Sequence, residues 1–112
     1  MRSDQERLED ILQAIEQIER DTVAGKQTFK QDNLIQSAVL YECVIIGEAA
    51  RAISVELRER ISNVPWAAIV AMRNILVHRY YEVNLDITWL VVQDLPEIKS
   101  KIEAILKELG EF

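Results

Sequence analysis

The residues best suited to chemistry lie in one string, Met72-Arg73-Asn74-Ile75-Leu76-Val77-His78-Arg79-Tyr80-Tyr81, which holds the single histidine of the chain. Imidazole ionises near neutrality and can take or give a proton. A guanidinium is permanently charged and pairs two-pronged with phosphate or carboxylate oxygens. Arg73 and Asn74 interrupt an otherwise apolar run, where a cation and an amide are costly unless paired or set in a cleft. At 3.6 residues per turn, Asn74 and His78 are i,i+4 neighbours and Arg73 shares a second stripe with Tyr80. Arg73 and His78, five residues apart, then point about 140° away from each other. They converge in one of two ways: the helix ends near His78 and lets the imidazole swing, or a two-fold dimer brings both copies of the string together across a shared cleft. A hydrophobic fraction of 49% leaves apolar surface for such a dimer and favours the second.

Helices must carry these side chains, because apolar residues recur at helical spacing and no stretch alternates as a strand would. Ser3-Asp4-Gln5-Glu6 has the form of a capping box ahead of Leu8, Ile11, Leu12, Ile15 and Ile18, which predicts a first helix ending near Ala24, with Gly25 as terminator. Lys26 to Lys30 form a polar connection. Asp32 caps a second helix that continues to about Arg60 through Leu34, Ile35, Ala38, Val39, Ile45, Ile46, Ala49 and Ile53. Gly47 lies inside it at a cost of up to about 1 kcal/mol relative to alanine, which implies a close helix crossing. Ser62-Asn63-Val64-Pro65 breaks the chain, and a third, mostly apolar helix spans Trp66 to about Tyr80. A fourth carries Ile87, Leu90 and Val91 and is expected to break near Pro96, where Asp94-Leu95-Pro96-Glu97 resembles a fresh helix start. Ile98, Ile102, Ile105, Leu106 and Leu109 continue it to Gly110. The expected architecture is an all-α, up-down antiparallel bundle of four long helices, with residues 1–112 forming one domain.

Composition narrows the function classes. Three glycines and two prolines argue against a disordered or collagen-like chain, and a lone cysteine cannot close a disulfide within it. Cys43 is expected to be a small buried hydrophobe. Met1 to Glu6 lack the apolar core of a signal peptide, and the longest apolar stretch, Trp66 to Met72, is far short of a bilayer span, so a cytoplasmic protein away from membranes is expected. Thirteen basic against nineteen acidic residues give a net charge of −6, against bulk electrostatic coating of nucleic acid. Yet from Arg60 to Tyr81 there is no acid at all, while Arg60, Arg73, His78 and Arg79 all lie inside that window. Trp66 and Trp89 are expected in the core or at a dimer interface, and Tyr41 at a helix contact. Glu97, Glu103 and Glu108 form a solvated face without metal-ligand spacing, so no metal site and no cofactor are expected.

Together these residues resemble a known family. Arg73-Asn74-x-x-x-His78, led by Val64-Pro65-Trp66-x-x-Ile69-x-x-Met72 and followed by Tyr80, Trp89 and Leu95-Pro96, is similar to the HEPN superfamily, and within it to the HepT-type toxins of prokaryotic HEPN/MNT toxin–antitoxin pairs. Ile46-Gly47-Glu48-Ala49-Ala50 also matches, so the likeness covers nearly the whole chain. The resemblance implies a metal-independent endoribonuclease that acts as a homodimer, with the two R-x4-H motifs facing each other in a basic cleft. His78 would be the acid/base and Arg73 the phosphate clamp, with Asn74 orienting His78 or the phosphate by hydrogen bonding. His78-Arg79-Tyr80 matches the H-x-Y tail in which the tyrosine accepts AMP from the cognate MNT nucleotidyltransferase, making Tyr80 the implied acceptor. Arg79 stands where glycine is common and is a candidate either to contact RNA or to restrict access to Tyr80. The rival from another class is a non-catalytic helical dimer that binds, or is modified by, a nucleotidyltransferase.

Overall fold

Ser3 accepts a hydrogen bond from the Glu6 amide at 3.1 Å and its own amide donates to the Glu6 carboxylate at 2.9 Å, closing the capping box that starts the first helix. The computed structural model describes residues 2–110. Met1, on which part of the amino-terminal reading falls, lies outside the described residues. The helices are α1 (Asp4–Asp21), α2 (Lys26–Gln31), α3 (Asn33–Ala52), α4 (Val55–Arg60), α5 (Trp66–His78) and α6 (Leu85–Glu108), with a 3-10 turn at Tyr80–Glu82. Among the described residues there is no strand, and the all-α bundle stands as expected. No helix among them is long and apolar enough to cross a membrane.

The core is one contiguous apolar cluster. Leu8, Ile11, Ile15 and Ile18 of α1 meet Val39, Cys43, Ile46 and Ala50 of α3 and Leu95, Ile98, Ile102 and Leu106 of α6, all buried. The central helix α3 packs on α1 along one side and on α5 along the other. Its direction relative to α1 is fixed where Ser54, just past the end of α3, donates its amide and hydroxyl to the Asp4 carboxylate at 2.9 and 2.5 Å. Near the start of α6, Asp86 pairs with Lys30 of α2 at 2.9 Å, and at its end Glu108 lies 3.9 Å from Arg60 of α4. Those ties run α6 antiparallel to α1.

Three local expectations are corrected. The supposed polar connection at Lys26 to Lys30 is the short helix α2, which buries Phe29 against the ring of Trp89, with centroids 5.4 Å apart. One apolar residue cannot set a period, so no stripe announced it. The second helix does not continue to Arg60: it stops at Ala52, and Ser54 restarts the chain as α4 by accepting from the Leu57 amide at 3.2 Å. The break expected near Pro96 is absent, since α6 passes through it without interruption. Proline removes one backbone donor and strains the turn before it, at about 3 kcal/mol. Its ring is exposed, however, while Leu95, Ile98, Ile102, Ile105 and Leu106 keep one buried stripe across the position, and that burial outweighs the lost hydrogen bond.

Candidate functional site

The geometry of α5 follows from Gly47. A Cβ at that position of α3 would overlap the Arg73 Cβ and lie 2.8 Å from its Cγ and 3.3 Å from the Ile69 carbonyl oxygen. Only a glycine lets the two backbones approach so closely, which explains the helix-interior residue and sinks the stem of Arg73 into α3. The Arg73 side chain is only 12% exposed. Its Nη2 donates to the Glu48 Oε1 at 2.6 Å and its Nη1 to the Asn74 Oδ1 at 2.9 Å, while Nε is buried without a partner. The other Glu48 oxygen lies 3.9 Å from Arg51.

His78 is the last residue of α5 and is exposed. The helix therefore does end where the imidazole could swing. Its exposed stripe also contains Ala67, Ala71 and Asn74, at the spacing of one helix face, and this stripe is uncovered in the single chain. The structure thus brings Asn74 to Arg73 and not to His78, and leaves Arg73 and His78 on different faces of α5. After His78 the backbone tightens into the 3-10 turn. Arg79 lies 3.3 Å from Glu82, and Tyr80 and Tyr81 are exposed, their rings edge-to-face with centroids 5.8 Å apart.

The acid-free window does not make an isolated cationic patch. Acids from outside it supply partners to its three arginines: Glu108 to Arg60, Glu48 to Arg73 and Glu82 to Arg79. The residue that spacing alone missed is Glu48. Its signal was present, because Glu48 is the one acid from Cys43 to Ala52 and it adjoins the glycine that marks the crossing.

The other singled-out residues fall away from this site. Trp66 is buried, with its indole N–H donating to the Ile61 carbonyl at 2.9 Å. Tyr41, expected at a helix contact, is 65% exposed and lines a surface groove that α3 forms with Asp10, Gln13 and Gln17 of α1. Burial pushes the Cys43 thiol up to about 12, with Glu42 adding to the effect. Glu97 pairs with Lys101 at 3.2 Å. Among the described residues no three His, Cys, Asp or Glu side chains are grouped to hold a metal ion.

Comparison with known proteins places the chain in a family. Residues 11–105 match the model of the HepT-like family, described as ribonuclease HepT-like. The chain is 36% identical to a protein of Thermococcus cleftensis named "Probable ribonuclease HepT", over 95% of this chain and 98% of that one. It is 37% identical to a "Putative RNase" of Caldanaerobacter subterraneus, over 90% and 92%. A Methanocaldococcus jannaschii protein named "Gamma-glutamylcyclotransferase and putative RNase" is 38% identical over 91% of this chain, which spans only 47% of that longer relative. No solved structure matches.

Proposed function

The chain belongs to the HepT-like ribonuclease family, and from that premise we propose that it is a metal-independent endoribonuclease, the toxin of a HEPN/MNT toxin–antitoxin pair, working in the cytoplasm as a homodimer of single-domain chains. The observation that carries the reading is the arrangement of α5. A largely buried, sharply oriented Arg73 and an exposed His78 share one helix, and His78 ends a bare stripe with Ala67, Ala71 and Asn74. Packing that stripe on its copy across a two-fold axis brings two His78 side chains to one cleft and covers apolar surface in the same step. Exposed Ile87 and Leu90 of α6, at 59% and 60%, add apolar surface that a second copy would cover.

RNA supplies its own nucleophile. His78 takes the proton of a ribose 2′-hydroxyl, and the resulting oxygen attacks the adjacent phosphorus. The P–O5′ bond breaks, a proton passes to the departing 5′ oxygen, and a 2′,3′-cyclic phosphate remains on the other fragment. Arg73 holds the phosphate in line and offsets the charge that grows on its non-bridging oxygens. Asn74, bonded to Arg73 Nη1, supports the clamp rather than the imidazole. Arg79 is a candidate RNA contact once it leaves Glu82.

Tyr80, exposed beside His78, is the proposed acceptor of AMP from an MNT-type nucleotidyltransferase. A nucleotide there adds negative charge and bulk where the RNA phosphate must enter, which turns the enzyme off. One observation keeps a second reading in play: Arg73 is ion-paired inside its own chain, as in a helical dimer that only binds or is modified by the nucleotidyltransferase. Growth decides between them. Expression of the chain alone should arrest cells, His78→Ala should abolish the arrest while the dimer persists, and Tyr80→Phe should stay toxic in the presence of the nucleotidyltransferase. Arrest by His78→Ala equal to that of the unaltered chain contradicts the ribonuclease reading.

A further inference from the structure

We infer that Glu48 is the positioning residue of the Arg73 clamp, an inference that rests on the ribonuclease reading above. A free arginine side chain has several rotamers and five N–H donors, so a useful phosphate clamp needs its plane fixed beforehand. Three contacts fix it here. Gly47 admits the stem, Asn74 takes one terminal nitrogen at 2.9 Å, and Glu48 takes the other at 2.6 Å. The buried Nε carries no hydrogen bond, a cost that a guanidinium free to turn toward water would not bear.

With one N–H of each terminal nitrogen committed and Nε enclosed, one N–H on each terminal nitrogen is left over for phosphate oxygens. Glu48 is half-exposed at the surface end of this chain of contacts, and its second oxygen faces Arg51, so it draws on two cations without being buried itself. It does not touch the substrate. It acts by holding Arg73 where charge develops in the transition state, so its loss falls on turnover rather than on substrate capture.

Steady-state cleavage of RNA by the purified dimer tests this with Glu48→Ala, Glu48→Gln and His78→Ala as a reference. Glu48→Ala should lower kcat roughly 10- to 100-fold, the size of a lost charge-assisted hydrogen bond, with KM changed by less than about threefold. Glu48→Gln keeps an acceptor oxygen for Nη2 and should stay within about fivefold of the unaltered enzyme. In proton–nitrogen NMR spectra the Arg73 Nε–H should exchange slowly in the unaltered chain and in Glu48→Gln, and rapidly in Glu48→Ala. The inference is overturned if Glu48→Ala cleaves at or above the normal rate, if Glu48→Gln is as impaired as Glu48→Ala, or if the lost activity merely follows lost thermal stability or dimer. A chain that cuts no RNA, or a His78→Ala variant that still cuts, sinks the ribonuclease reading instead. The Nε–H exchange then decides alone whether Glu48 holds Arg73, and slow exchange in Glu48→Ala would refute it.

Discussion

Replacing Gly47 with alanine sets two effects of known size against each other. In an open helix the change is favourable, because alanine is better than glycine by up to about 1 kcal/mol. At this crossing the new methyl overlaps the Arg73 Cβ and approaches Cγ to 2.8 Å, and both belong to the stiff base of the side chain rather than its flexible end. The Ile69 carbonyl, 3.3 Å away, blocks retreat in that direction, so α5 must move off α3. Overpacking of this kind costs about 1–3 kcal/mol, with this contact at the upper end, and the balance is a net loss of about 1–2 kcal/mol. For a chain of this size that lowers Tm by roughly 4–10 °C. Circular dichroism melts at fixed protein concentration measure it, since dimerisation makes Tm depend on concentration. Ser37→Ala and Ser37→Gly, on the exposed face of the same helix, calibrate the propensity, with alanine the more stable by about 1 kcal/mol. A Gly47→Ala variant as stable as the parent, or more so, refutes the close crossing and with it the seating of Arg73.

Pro96→Ala should raise stability by about 1–3 kcal/mol, because it restores the missing donor inside a continuous helix, and a lower Tm would mean that α6 does break there. With its thiol pushed up to about 12 by burial, Cys43 holds almost no thiolate at pH 8 in the folded chain, so a disulfide reagent should label it only on unfolding; rapid native labelling contradicts its place in the core. A hydrogen bond from Lys30, reinforced by the charges of Lys30 and Lys26, holds the Asp86 carboxyl below its ordinary range. A pKa depressed by folding contributes stability above the ordinary carboxylate range near 4 and loses it as pH falls through the folded value. Thermal melts of Asp86→Asn should therefore lie below the parent at pH 7 and converge with it toward pH 3, and a constant difference across that span would show that the ion pair is not the cause.

What the sequence announces most clearly is what local chemistry decides. Ser3 and Asp32 are side-chain caps and start helices as such residues do, and the stripe of α1 is buried as its spacing implies. The breaks were harder. Ser54 was as good a cap as Asp32, but the apolar period ran through it into α4, and only the contact with Asp4, fifty residues away in sequence, shows why the chain stops and restarts there. Pro96 misled in the opposite sense, because a local penalty was overruled by burial along the whole of α6. At the candidate site, the string from Arg73 to Tyr80 was legible as chemistry and Gly47 as a crossing. That these were one feature was not, since the close approach of Arg73 to Gly47 and the Glu48 ion pair join positions about 25 residues apart through the packing of α3 on α5.

RNA cleavage by the purified, unmodified dimer in excess chelator, with Arg73→Ala and His78→Ala alongside, is the most direct test. The unaltered chain should cut RNA without added metal and leave 2′,3′-cyclic phosphate ends, and both variants should lose that activity while remaining dimeric. Cleavage that stops on chelation, yields other ends or persists in His78→Ala would contradict the assignment of the chemistry to Arg73 and His78.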